Sequence, residues 1–107
     1  MRADSFRLKA DDGADIPVHR WLPDGAPRAA FQIAHGLAEH AARYGRLAQE
    51  LTARGFAVYA NDHRGHGQTA AADDLGFFAE SEGWRKCDGD LWTLNRRIAA
   101  DHAGLPI

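Results

Sequence analysis

The sequence predicts an α/β layered fold, and three neighbouring stretches carry that prediction. Ala29 to His35 is a short apolar run (Ala30, Phe31, Ile33, Ala34) that opens onto Gly36. His40 to Arg54 then places Tyr44, Leu47, Ala48 and Leu51 at helical spacing, with Gly55 as the residue that ends the helix. Phe56 to Ala60 follows as a near-continuous apolar stretch, the pattern of a strand buried on both faces. Strand, helix and strand at these lengths make a βαβ unit with parallel strands, which belongs to a layered sheet.

The remaining elements extend this unit on both sides. Ser5 to Ala10 alternates, with Phe6 and Leu8 on one side and Arg7 and Lys9 on the other, as in a half-buried strand. Asp11-Asp12-Gly13 supplies turn residues, and Ile16 to Leu22 resumes extended structure past Pro17. These two strands form a hairpin or meander that lengthens one side of a mostly parallel sheet. Residues 70 to 83 have no period. From Trp84 to His102 a second helix aligns Trp84, Cys87, Leu91, Leu94 and Ile98 on one stripe, and Gly104 and Pro106 end it. The stripe places Cys87 in the core rather than at a reactive surface. It likewise makes packing the reading for Trp84, and Trp21 and Trp92 are read the same way.

Composition narrows the function. The chain has 107 residues, 26% of them charged, with a formal net charge of −2. That near balance excludes a basic nucleic-acid-binding face, so no nucleic-acid partner is expected. One cysteine excludes an internal disulfide and a thiolate zinc cage. The N-terminus lacks the apolar core of a signal peptide, and no stretch has the apolar length of a membrane span. A cytoplasmic protein without a transmembrane segment is the expectation. Serine occurs only at Ser5 and Ser81.

In open α/β sheets ligands gather beyond the C-terminal ends of the parallel strands. Two loops leave such ends here: His35-Gly36-Leu37-Ala38-Glu39-His40 and Asp62-His63-Arg64-Gly65-His66-Gly67. In the first, a strand that turns at His-Gly leaves backbone N–H groups able to face an oxyanion, and Gly36 permits the tight turn. An ordinary strand-to-helix connection fits the same residues. Glu39 and His40 form an acid–base pair by composition, but adjacent helical residues do not face one another. The second loop admits three readings. His63 and His66 with His35 and His40 have the chemistry of zinc ligands. Its glycines offer phosphate-binding amides, although no GxxxxGK[ST] or GxGxxG is present. The structural reading, in which Asp62 and Arg64 pair and the glycines allow tight turns, is preferred. No metal and no cofactor are expected.

Taken together, His35-Gly36-Leu37-Ala38-Glu39-His40-Ala41-Ala42-Arg43-Tyr44 and Asn61-Asp62-His63-Arg64-Gly65-His66-Gly67-Gln68-Thr69 resemble the start of an α/β-hydrolase. Within that superfamily the chain is similar to the monoacylglycerol lipase and lysophospholipase group (serine aminopeptidase S33-like). The HGxxEHxxRY run is characteristic of that group, whereas D-x-R-G-x-G-x-[ST] is shared more widely. The resemblance covers essentially the whole chain. It implies that Leu37 and Gly36 form this chain's part of an oxyanion hole, the backbone N–H of Leu37, after His35-Gly36, supplying half of it. It also implies that His35, Glu39, His40, Asp62, Arg64, Gly65 and Gly67 support the site without reacting.

One departure is large. Such hydrolases carry their nucleophile in a G-x-S-x-G elbow after the fifth strand, with Asp and His later. Neither Ser5 nor Ser81 lies in that motif, and Gly104 to Ile107 would lead directly into the fifth strand. The expectation is therefore residues 1–107 as the N-terminal portion of one α/β-hydrolase domain, truncated before its elbow. The parent would be a serine hydrolase of small lipid-like or other carboxyl esters, and this chain alone would be inactive. The third strand, with Phe31 and Ile33, would form an open apolar edge that invites self-association. Two classes stay open beside this: a complete non-catalytic α/β binding module, and a metal-dependent hydrolase built on the four histidines. Within the hydrolases, peptidase or epoxide-hydrolase chemistry is the further alternative.

Overall fold

The computed structural model describes residues 1–36, 39–66 and 82–107. The opening hairpin is longer than its apolar alternation implies. β1 (Arg2–Lys9) and β2 (Asp15–Leu22) pair antiparallel in unbroken register from Arg2↔Leu22 to Lys9↔Asp15. Charged residues extend β1 backwards because cross-strand ion pairs support it: Arg20 grips Asp4 through two bonds of 2.7 and 2.8 Å.

β3 (Ala29–Ile33) and β4 (Phe56–Asn61) form the predicted parallel pair, in register from Ala29↔Phe56 to Ile33↔Ala60. β4 also pairs antiparallel with β2, so the sheet order is β1-β2-β4-β3. The predicted helix before β4 divides in two. Ala41–Tyr44 is a 3₁₀ turn, and α1 (Gly45–Ala53) continues from it. α2 (Gly83–Asp101) follows the predicted boundaries within a residue.

Side-chain alternation along β4 sends residues to opposite faces and so separates two cores. Ala57 and Tyr59 join Val18, Ala30, Leu94 and Ile98 beneath α2. Val58 and Ala60 join Trp21, Ile33, Ala41 and Ala48 beneath α1. The sheet is therefore the middle of three layers, and β3 lies at its edge. Among the described residues, that edge carries one further backbone bond, from Ala30 N–H to the Pro106 carbonyl at 2.9 Å.

Three packing expectations need correction. Trp84 is 78% exposed and Trp92 61% exposed, so of the three tryptophans only Trp21 is core. A hydrophobic stripe identifies a helix face but not how far along it the sheet extends, and α2 buries Cys87, Asp90, Leu94 and Ile98 instead. Both Phe31 and Ile33 belong to the edge strand β3, but only Phe31 exposes its side chain there, because the Ile33 side chain is buried under α1.

Candidate active-site scaffold

The loops after β3 and β4 meet through two histidines. His35 and His63 are both buried, with ring centroids 4.1 Å apart. His35 Nε2 accepts the His63 backbone N–H at 2.9 Å, which leaves the ring proton on Nδ1 to donate to the Gly36 carbonyl at 2.8 Å. His63 Nε2–H donates to the His35 carbonyl at 3.0 Å. Its bare Nδ1 then faces Cys87 Sγ at 3.5 Å, so the thiol is the donor there. Burial, first of all, lowers both imidazole pKa values, and each ring's neutral form is the one its bonds require. Burial likewise pushes the Cys87 thiol up, away from the thiolate a nucleophile needs.

These bonds commit the histidines to backbone and thiol partners. His66 is buried and bonds the Arg64 carbonyl at 2.9 Å, while His40 is exposed. The rings of His35, His63 and His66 lie 4.1 to 6.3 Å apart, but exposed His40 does not complete the four-histidine set. Among the described residues, no group of three or more His, Cys, Asp or Glu has an arrangement that could hold a metal ion.

Arg64 overturns the expected pairing with Asp62. It turns the other way and binds two carboxylates at once: Asp90 at 2.7 and 2.9 Å, and Asp12 at 2.6 and 2.8 Å. Arg64 and Asp90 are almost fully buried, and Asp12 is partly exposed. Asp90 first and Asp12 second hold the guanidinium well above its usual pKa, and Arg64 holds Asp12 well below the usual carboxylate range. Asp62 has another task. Its Oδ1 accepts the Ala41 N–H at 2.8 Å, which anchors the start of the 3₁₀ turn, and Oδ2 lies 3.7 Å from His19 Nε2. Gly65, at φ +70°, makes the tight reversal that a side chain would strain.

Sequence reading missed Asp12 and Asp90. Asp12 is an ordinary turn residue by pattern, but Asp90 carried a signal. It falls three residues after Cys87 and four before Leu94, so it shares the buried stripe, and an acid there needs a cation.

The β3 turn is built differently. Glu39 Oε1 accepts the Gly36 N–H at 2.7 Å and the Tyr44 hydroxyl at 2.9 Å, and Arg43 Nε lies 3.2 Å from Oε2. These donors, Gly36 first, lower the Glu39 pKa. The Gly36 N–H is therefore used within the protein, so Gly36 shapes the turn and is not itself placed to donate. A Cβ at Gly36 would stand 2.6 Å from Glu39 Oε1, so a side chain there would have to push the carboxylate aside. Leu37, Gly67 and Ser81 lie outside the described residues. A cavity of about 200 Å³ lies beside the turn, lined by His35, Gly36, His63, His66, Trp84 and Cys87 among others. A larger groove of about 730 Å³ runs along the β3 edge, past Phe31, Gln32, Leu91, Trp92 and Ile107.

This arrangement presents a glycine turn at the end of a parallel strand, backed by locked histidines and by an ion triad whose Arg64 and Asp90 are buried. The profile of the serine aminopeptidase S33 family matches residues 25–107. The chain belongs to that family. It is 42% identical over 98 residues to a monoacylglycerol lipase of Mycolicibacterium smegmatis, covering 88% of this chain and 32% of that protein. Against the human monoglyceride lipase it is 33% identical over 103 residues, which cover 90% of this chain and 30% of that one. Its fold is that of the α/β-hydrolases. A thermostable carboxyl esterase of Bacillus coagulans superposes with a TM-score of 0.86 at 27% identity, over 99% of this chain and 34% of that chain. A monoglyceride lipase of Saccharomyces cerevisiae shares the fold, with a TM-score of 0.82 at 21% identity over 99% of this chain and 34% of that chain. The chain thus spans about a third of the length of these relatives.

Proposed function

We propose that these residues form the oxyanion-side scaffold of a serine carboxyl-ester hydrolase, with monoacylglycerol-like or lysophospholipid-like esters as substrates. The observation that carries the reading is the β3 turn, where an HGxxEHxxRY run coincides with a glycine turn at the C-terminal end of a parallel strand. Its relatives' names and its family support the chemistry. In this reaction a serine hydroxyl attacks the ester carbonyl, the tetrahedral oxyanion is held by backbone N–H groups, and the alcohol leaves with a proton from histidine. Water then cleaves the acyl-enzyme. The Leu37 N–H is the donor proposed for this chain, with the second following the nucleophile. His35, His40, Asp62, Arg64, Gly65 and Gly67 support the turn and do not react.

The 107 residues contain no G-x-S-x-G, so the nucleophile would come from outside them and the chain alone is proposed to be inert. Incubation with a fluorophosphonate should leave Ser5 and Ser81 unmodified, and stoichiometric labelling at either would overturn the assignment. The coding sequence past codon 107 should open a G-x-S-x-G within about a dozen residues. The polypeptide it encodes should hydrolyse monoacylglycerols faster than aminoacyl anilides. The reverse preference would move the reading to peptidase chemistry. Among the described residues no helix is long and apolar enough to cross a membrane, and a cytoplasmic site of action is part of the proposal.

The same reading extends to the β3 edge. As a 107-residue chain, the protein is proposed to pair with itself there, because an edge strand with exposed Phe31 beside Trp92 and Ile107 is a template for strand addition. Sedimentation should show species above the monomer, and Phe31→Lys should reduce them. A wild-type chain that stays monomeric would refute this.

A further inference from the structure

Glu39 makes and breaks no bond in the reaction above, yet its carboxylate is fully engaged. Oε1 takes the Gly36 N–H and the Tyr44 hydroxyl, and Oε2 faces Arg43. The Gly36 carbonyl is occupied as well, by the Glu39 N–H at 3.2 Å and by His35 Nδ1 at 2.8 Å. Gly36 and Glu39 therefore bond each other reciprocally, backbone to backbone and backbone to side chain. This is the reach-back geometry of a glutamate three residues into a turn. The Gly36 N–H belongs to the peptide before its Cα and the Gly36 carbonyl to the peptide after it, so with both consumed the two peptides flanking Gly36 have little freedom to rotate.

That restraint matters for an oxyanion turn. Preorganised donors stabilise a developing charge because they need not reorient when it appears. A peptide free to flip would lose that advantage. A carboxylate beside a developing oxyanion also carries a cost, since like charges repel. The donors on Oε1 and the Arg43 guanidinium at 3.2 Å from Oε2 offset it.

We propose that Glu39 is a positioning residue for the oxyanion turn: its ionised carboxylate, held by Tyr44 and Arg43, pins the Gly36 N–H, while its own N–H and His35 Nδ1 hold the Gly36 carbonyl. The inference rests on the ester-hydrolase reading for its purpose, but its geometry can be tested in the chain by itself.

The test is a pH titration of the ¹⁵N-labelled chain by NMR. The Gly36 amide should shift through a transition that belongs to Glu39, with a midpoint below the ordinary glutamate range and distinct from any step of His35, whose ring bonds the Gly36 carbonyl. In Glu39→Gln that transition disappears, and Gly36 amide exchange accelerates roughly tenfold or more while β4 amides keep their positions. Tyr44→Phe retains the transition and moves its midpoint upward, and this conservative variant decides the matter if Glu39→Gln does not fold. A Gly36 amide indifferent to pH in the wild type, or unchanged exchange in Glu39→Gln, overturns the proposal. In the ester assay described above, Glu39→Gln should lower kcat roughly tenfold with KM held. An effect on KM alone counts against positioning. Absence of ester hydrolysis with an intact Gly36 titration would sink the ester-hydrolase reading and leave the clamp standing.

Discussion

The loops after β3 and β4 touch each other but are held by opposite means. The β4 loop is anchored by its side chains: Asp62, His63, Arg64 and His66 are all buried and bonded inward. Among the described residues of the β3 turn His35 is the buried one, and the Gly36 backbone is exposed and held from outside by Glu39. A loop whose side chains point inward can carry a neighbour but offers little of itself to a ligand. A turn that leaves its backbone outermost can present peptide dipoles. The contrast assigns support to the one and presentation to the other.

Breaking the anchored loop should have the largest effect. Arg64→Ala leaves Asp90 buried without its cation and should cost about 3–5 kcal/mol of stability, read from the urea midpoint. Asp12, being partly exposed, adds little to that sum. The double variant Arg64→Met with Asp90→Leu should recover much of the loss, because both buried charges are then gone. A midpoint that Arg64→Ala leaves in place would remove the ion triad as the loop's anchor.

The junction of the two loops comes next. His35 and His63 have lowered folded pKa values, so the unfolded chain binds more protons as pH falls through the unfolded value of about 6.5. Their contribution is fully present above that pH. It is lost below it at up to about 1.4 kcal/mol per pH unit for each histidine, until the folded values are reached. Denaturation midpoints compared at pH 7.5 and pH 5.5 should fall, and stability that stays flat across this interval would contradict the neutral pair. Asp12 acts in a lower window. Its folded pKa is depressed, so its contribution holds above about 3.8 and fades as pH drops further.

The smallest change in stability belongs to the presenting turn. Glu39→Gln should barely move the unfolding midpoint while it releases the Gly36 amide, so a local readout should respond where the global one does not. If instead it destabilised the chain as much as Arg64→Ala, the distinction between the two loops would collapse.

Much of this architecture was legible in local pattern. Apolar runs and their periods located β3, β4, α1 and α2, because burial on one or two faces is written in a spacing of two or 3.6 residues. Cys87, Leu94 and Ile98 went to the core as their stripe required. The HGxxEH run placed a glycine turn at the mouth of the sheet. The same logic failed for Trp84 and Trp92, since period says nothing about where a helix overhangs the sheet.

The amino-acid sequence by itself thus determined the elements, the faces they bury and the family to which they belong. Only the tertiary structure decided the partners of Arg64, which lie 26 and 52 residues away, and the ring protons of two histidines 28 residues apart. It also turned Glu39 from a helical neighbour of His40 into the clamp on Gly36. The physical reason is range. Hydrophobic periodicity acts within a few residues and repeats, whereas a hydrogen bond or buried ion pair depends on one approach in space that no local pattern encodes.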